Sequence, residues 1–285
     1  MDTRRQVRIR ANAAGAACPG STRMTHNALV LFDIDGTLVR RAGPHHRQAL
    51  IAAIRRVTCL DTTTDGVPVA GMLDPGIITA MMRQAGARRD LIRRSLPDVI
   101  KAAERIYLRT CPDISRRVCP GVRRLLARVQ RAGAATGLVT GNLTRIGWHK
   151  MKRAGLDEFF RFGEFGETAS TRAGLVRNAI RRARREGWIG KGANISLIGD
   201  HVNDILAARA NGIRSIAVCT GVLSMEELAA HSPGIIVPDM RSIRAEMLLQ
   251  RTATPSATRP VKKNSPPAIL LFLLPAAGPG GGCVL

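Results

Sequence analysis

Residues 28 to 39 read Ala-Leu-Val-Leu-Phe-Asp-Ile-Asp-Gly-Thr-Leu-Val, an apolar run that ends on two carboxylates, Asp33 and Asp35, one residue apart. Ala28 to Phe32 has the length and the branched, aromatic content of a strand buried on both faces, as in the middle of a parallel sheet. Gly36 ends it. Alternation along a strand sends Asp33 and Asp35 to the same side, at the carboxyl end where an α/β sheet opens into its ligand crevice. Two carboxylates so placed repel unless something positive lies between them. A divalent cation with oxygen ligands is an economical answer, because Mg²⁺ binds one or two carboxylates together with water and substrate phosphate. A solvated acidic pair is the plainer reading, and the joint occurrence of apolar run, spacing and Gly-Thr weighs against it.

Working outward, the 285-residue chain is long enough for one large domain or two, and its 45% hydrophobic content is that of a protein with a real core. Aromatics make up only 3%, so the core is built from Ala, Val, Ile and Leu, which suits helices layered on a parallel sheet and leaves little for stacking bases. The formal charge is +23. Residues 1–27 and 251–285 hold +8 of it, leaving +15 on residues 28–250. A basic folded part attracts anions: a small phosphorylated substrate fits, and nucleic acid is the rival partner. Only six of the 44 basic residues are Lys, so a compositional preference for Arg accounts for much of the excess. The six cysteines form no C-x-x-C pair, which fits a reduced, cytoplasmic chain, and no signal-peptide pattern or membrane-length apolar run stands out.

After the opening strand, apolar spacing marks helices over 44–57, 75–85, 95–110 and 121–132 with no strand between them. The turn cluster Gly71-Met72-Leu73-Asp74-Pro75 is expected either to dip towards substrate or to be an ordinary interhelical turn. Residues 134–140 form the next strand, ending Val-Thr-Gly-Asn. A hydroxyl at a strand end followed by Gly lets a side-chain donor and backbone N–H groups meet one phosphate oxygen. Strands are further expected at 159–162, 193–198, 213–218 and 234–237, with helices at 143–154, 171–186, 204–210, 224–230 and up to about 249. Ser224 and Glu227 have capping-box spacing. The 193–198 strand ends in Gly199-Asp200-His201-Val202-Asn203-Asp204, a second acidic group at a strand end.

Phe-Asp-Ile-Asp-Gly-Thr-Leu-Val resembles the first motif of the haloacid dehalogenase (HAD) superfamily in its phosphatase branch, near phosphoglycolate phosphatases. The resemblance extends over roughly residues 28–245 and implies a Rossmann-like α/β core of residues 28–41 and 119–250, a parallel sheet with helices on both faces. An inserted all-α cap would occupy 42–118, between a disordered basic leader (1–27) and a disordered Pro/Gly-rich tail (251–285). It also implies that Asp33 is the nucleophile forming an aspartyl-phosphate and Asp35 the acid and base. The dehalogenases lack the second Asp, so Asp35 argues for phosphoryl transfer. Thr140, Gly141 and Asn142 match the second motif, which grips the phosphoryl group. Arg172 is the best match to the basic third motif, with Lys150, Lys152 and Arg177 as alternatives. Gly199-Asp200…Asp204 matches the fourth motif, so Mg²⁺ would be held by Asp33, Asp35, Asp200 and Asp204. The expected mechanism has Asp33 ionised and Asp35 protonated by burial at the first step. The expectation is thus a Mg²⁺-dependent phosphatase of a small monoester, with a sugar phosphomutase and a basic nucleic-acid-binding protein as alternatives.

Overall fold

A computed structural model describes residues 26–40 and 43–249. The expected leader, apart from its last two residues, and the expected tail lie outside the described residues. Along the chain the elements are β1 (His26–Phe32), α1 (His45–Thr58), α2 (Asp74–Gln84), α3 (Arg89–Thr110), α4 (Val122–Arg131), β2 (Ala135–Val139), α5 (Thr144–Ala154) and β3 (Phe162–Glu164). There follow α6 (Arg172–Arg185), β4 (Ile189–Gly199), α7 (Val202–Ala210), β5 (Arg214–Val218), α8 (Met225–Ala229), β6 (Ile235–Val237) and α9 (Ala245–Leu249). The six strands form one sheet in the order β3-β2-β1-β4-β5-β6, and every pairing is parallel. The architecture is the Rossmann-like α/β fold expected from β1.

Position in this sheet explains the composition of β1. Its neighbours on both sides are strands, so its two faces must each meet a helical layer. Val30 and Phe32 pack into one core with Leu125 and Val129 of α4 and Met151 of α5. Leu29 and Leu31 point the other way, into a core with Leu175 and Ala179 of α6 and Ala208 of α7. Period-2 alternation is present in space although the sequence reads as a continuous apolar run. A third core joins α1, α2 and α3 through Leu50, Ile54, Ile78, Met82, Val99 and Tyr107, and it reaches α5 at Leu143 and Ile146.

Three elements differ from the sequence expectation. Of the run 159–162, Phe159 closes a short 3₁₀ turn over Asp157–Phe159 and only Phe162 joins a strand, Phe162–Glu164, where pairing with Gly137–Val139 sets the register. Strand β4 begins at Ile189 rather than 193, because Ile189 pairs with His26. Helix α3 starts at Arg89 and runs through Pro97. Interior Pro removes one helical hydrogen bond, and here burial of Ile92, Val99 and Ala103 outweighs that loss.

Candidate active site

All the acidic groups singled out in the sequence reach the carboxyl ends of β1 and β4. The Asp33 N–H donates to the Ile198 carbonyl at 3.0 Å, which fixes the exit of β1 beside that of β4. Gly36 then turns the chain at φ +87°; a Cβ there would lie 2.2 Å from Asp200 Oδ2. The adjacent Thr37 hydroxyl donates to Asp200 Oδ1 at 2.8 Å. Glycine is therefore required at position 36 both for its backbone angle and for the space Asp200 occupies. Asp33, Asp200 and Asp204 are all buried, and each offers an oxygen within 4.8 Å of the others. Asp204 serves twice: Oδ2 accepts the His201 N–H and closes a capping box on α7, while Oδ1 turns to the cluster.

Among the described residues a single cation faces these three acids directly. Arg172, the first residue of α6, is set there by its N-cap Thr171, whose hydroxyl accepts the Gly174 N–H at 3.1 Å. Its Nη1 donates to Asp33 Oδ1 at 3.2 Å, and its Nε lies 3.2 Å from Asp204 Oδ1. Burial alone would lower the guanidinium pKa, but Asp204 and Asp33 outweigh it and hold the group charged. One guanidinium does not balance three carboxylates. Burial, then the charge of Asp33, pushes Asp200 up to about 7. Burial likewise raises Asp204 although Arg172 opposes it. Asp204 Oδ1 and Arg172 Nε also lack a well-directed hydrogen bond. A surplus of buried carboxylate oxygens with an orphaned acceptor is the donor set a hard divalent cation uses, so these residues fit a metal site.

Asp35 stands apart from that cluster. Lys150 of α5, only 1% exposed, reaches both of its oxygens at 2.8 and 2.6 Å. Asn142 donates to Asp35 Oδ2 at 2.8 Å and to the Thr140 hydroxyl at 2.7 Å, while its own oxygen accepts from Lys150 at 2.6 Å. Burial would raise the Asp35 pKa, yet Lys150 and His46 outweigh it and hold the carboxyl below its usual range. Here the structure corrects the expectation that burial protonates Asp35. Lys150, one of the alternatives to Arg172, is thereby placed on the second carboxylate, while Arg172 is on the first. Lys152 and Arg177 have no contact with either carboxylate among the described hydrogen bonds and ion pairs.

Two residues missed in the sequence complete this side. His46 of α1 faces Lys150 with Nδ1 at 3.3 Å and Asp74 with Nε2 at 2.9 Å. Asp74, buried at the start of α2, accepts the Leu143 N–H at 2.8 Å, and its own N–H donates to the Gly141 carbonyl at 2.8 Å. A Cβ on Gly141 would lie 2.3 Å from the Met72 carbonyl, so the 71–74 turn does dip onto the Thr140–Asn142 loop. The facing surfaces enclose a cavity of about 330 Å³ reached by Asp33, Asp35, Thr140, Asn142, Arg172 and Asp200.

With this geometry in hand, residues 28–212 match the model of the haloacid dehalogenase-like hydrolase family. Among curated proteins the chain is similar to phosphoglycolate phosphatase of Agrobacterium fabrum, 28% identical over 227 residues that cover 75% of this chain and 90% of the relative. Phosphoglycolate phosphatase of Synechococcus elongatus is 24% identical over 209 residues, covering 72% and 89%. In fold it is similar to CbbY of Rhodobacter sphaeroides, solved with xylulose-(1,5)bisphosphate, at TM-score 0.59 and 18% identity over 76% of this chain and 96% of that one. The β-phosphoglucomutase of Clostridium difficile aligns at TM-score 0.57 and 16% identity, covering 78% and 95%. The chain belongs to the haloacid dehalogenase-like hydrolase family, in its phosphatase branch.

Proposed function

We propose that the chain is a Mg²⁺-dependent phosphatase that hydrolyses a small phosphate monoester through an aspartyl-phosphate on Asp33. The observation that supports this most is the division of the acids at one crevice: a buried triad under Arg172, and a separate carboxylate, Asp35, with its own lysine. Asp33 attacks phosphorus, forming the Asp33–O–P bond as the ester P–O bond breaks. Asp35 is placed to take a proton from the water that cleaves the aspartyl-phosphate and to pass that proton to the leaving oxygen of the next ester, so that one proton is gained and one lost per turnover. The Lys150 clamp holds Asp35 as the carboxylate, the form needed to receive the water proton. Thr140, Gly141, Asn142 and Arg172 hold the phosphoryl oxygens. Asp33, Asp200 and Asp204, with the main-chain carbonyl of Asp35, would hold a Mg²⁺ ion, which when bound would supply positive charge for phosphoryl transfer.

In this reading residues 42–118 act as a cap over the crevice, and the partner is a small phosphorylated molecule. A nucleic-acid role would leave the buried carboxylates repelling the phosphates they face. The test is phosphate release from a panel of esters, including phosphoglycolate, with and without Mg²⁺. Release that needs Mg²⁺ and is absent in Asp33→Asn is the expected result. Phosphate transfer to a sugar hydroxyl without release would favour a mutase, and tight, salt-steep DNA binding with no turnover would overturn the enzyme reading.

A further inference from the structure

Lys150 lines the cavity in front of Asp33, yet its side chain is only 1% exposed, and polar atoms of three residues surround its Nζ. Asp35 meets it with both oxygens, at 2.8 and 2.6 Å, and Asn142 Oδ1 lies at 2.6 Å. The remaining neighbour is His46 Nδ1, at 3.3 Å. An ammonium group has three protons and no lone pair, so these atoms can only accept from it: Asp35 takes one share, Asn142 the second and His46 the third. His46 Nδ1 therefore carries no proton. The ring has its N–H at Nε2, 2.9 Å from Asp74 Oδ2, an oxygen that also accepts the Leu143 N–H. The direction of donation is fixed along the whole chain, from Lys150 to His46 and from His46 to Asp74. Buried Tyr107 of α3 walls the pair, its ring edge-on to that of His46 with centroids 5.5 Å apart and its centroid 5.8 Å from Lys150 Nζ. His46, Asp74 and Tyr107 all belong to the helical insertion, whereas Lys150 is carried by α5, which packs on the sheet.

The third proton matters because a lysine is a compact charge on a flexible four-carbon stem, and it keeps one direction only while its protons are all bound. A phosphoryl group entering the cavity brings oxygens that compete for that charge. With a proton to spare, Lys150 would turn to those oxygens and let go of Asp35, the carboxylate placed to take the water proton. His46 removes the spare proton, and Asp74 keeps His46 in the tautomer able to do so. The hold of His46 on Asp35 is thus exerted through the lysine.

We propose that His46, in the tautomer set by Asp74, is a positioning residue that binds the third proton of Lys150 and keeps that lysine on Asp35 rather than on the phosphoryl group. The alignment of the proton-transferring carboxylate then depends on a residue of the helical insertion. This rests on the phosphatase reading given above. Its first test needs no turnover: nitrogen NMR of the imidazole rings in the isotope-labelled wild type at neutral pH reads the tautomer, with the His46 signals assigned by their loss in His46→Gln. A protonated Nε2 and a bare Nδ1 are expected, and a proton on Nδ1 overturns the proposal. The second test follows Mg²⁺-dependent hydrolysis of acetyl phosphate, a small probe whose acetate leaves without a proton, so that kcat reports the step in which Asp35 receives the water proton. His46→Met, similar in size but without a strong acceptor, lowers kcat by about 10- to 100-fold with KM no higher than in the wild type. His46→Gln, whose amide offers one acceptor and one donor, keeps most of kcat. Melting temperature is the folding control. Equal kcat in the two variants, or a rise in KM at unchanged kcat, reduces His46 to packing or to substrate binding and overturns its positioning role while the phosphatase reading stands. A wild type without Mg²⁺-dependent turnover of acetyl phosphate or of any ester overturns that reading and this one with it.

Discussion

Asp33 and Asp35 leave the same strand end with only Ile34 between them and meet opposite surroundings. Asp33 enters a buried group of three carboxylates that share Arg172, where burial and mutual repulsion drive Asp200 up to about 7. Asp35 has a lysine of its own, a hydrogen bond from Asn142 and a histidine nearby, and its pKa falls. The first group is short of positive charge and fits an added cation. The second is complete in itself. Alternation sends both side chains one way; what separates them is that α6 and α7 close over one and α5 and α1 over the other.

Removing the proposed nucleophile breaks this comparison most severely. Asp33→Asn should cost about 10⁴-fold or more in kcat at an unchanged circular dichroism spectrum, and activity above a few per cent would end the assignment. Next comes Arg172, the only cation over the triad among the described residues. In chelator, Arg172→Ala leaves the buried carboxylates uncompensated and should lower unfolding free energy by about 3 kcal/mol in denaturant titrations, a loss that Mg²⁺ partly restores. Metal itself gives the third test. At about 100 times its dissociation constant, Mg²⁺ should add about 2.7 kcal/mol, read as a rise of about 5–10 °C in melting temperature. Asp200→Ala should abolish this rise and Lys150→Met should keep it; equal behaviour of the two would erase the distinction between the sides.

The smallest effect is the sharpest in sign. In chelator, Asp33→Asn relieves repulsion and should stabilise the protein by about 1 kcal/mol. Asp35→Asn strips Lys150 of its carboxylate and should destabilise by about 2 kcal/mol, less than for a fully buried pair because the Asp35 side chain is 30% exposed. Shifts of the same sign in both variants would show that the two environments do not differ energetically.

How much of this was legible in the sequence follows from distance along the chain. Strand β1, its paired acids and the Gly-Asp…Asp group are local patterns, and so is the Ser224–Glu227 capping box, which forms as expected. Arg172 could be proposed by its position ahead of Asp200, but Lys150 could not be told from it by counting residues. A signal for Lys150 was present: it sits with Ile146, Met151 and Ala154 on the buried stripe of α5, where a lysine needs a carboxylate. No comparable sign marked His46, and although Asp74 lies in the 71–75 turn cluster, its pairing with His46, 28 residues away, comes only through the packing of α1 and α2. Local hydrophobicity misled at 159–162, where tertiary register rather than aromatic content decides which residues become strand.

Asp74 has a consequence for recombination between relatives. Its carboxylate satisfies the Leu143 N–H, and its N–H satisfies the Gly141 carbonyl, so the backbone of the Thr140–Leu143 loop is partly wired by the insertion rather than by the sheet alone. A graft that replaced residues 42–118 with a foreign segment of equal length but without an acid at this point would strand the Leu143 N–H beside the Thr140–Asn142 loop. Insertion and loop have to travel together, or the chimera inherits a scaffold with its grip unset.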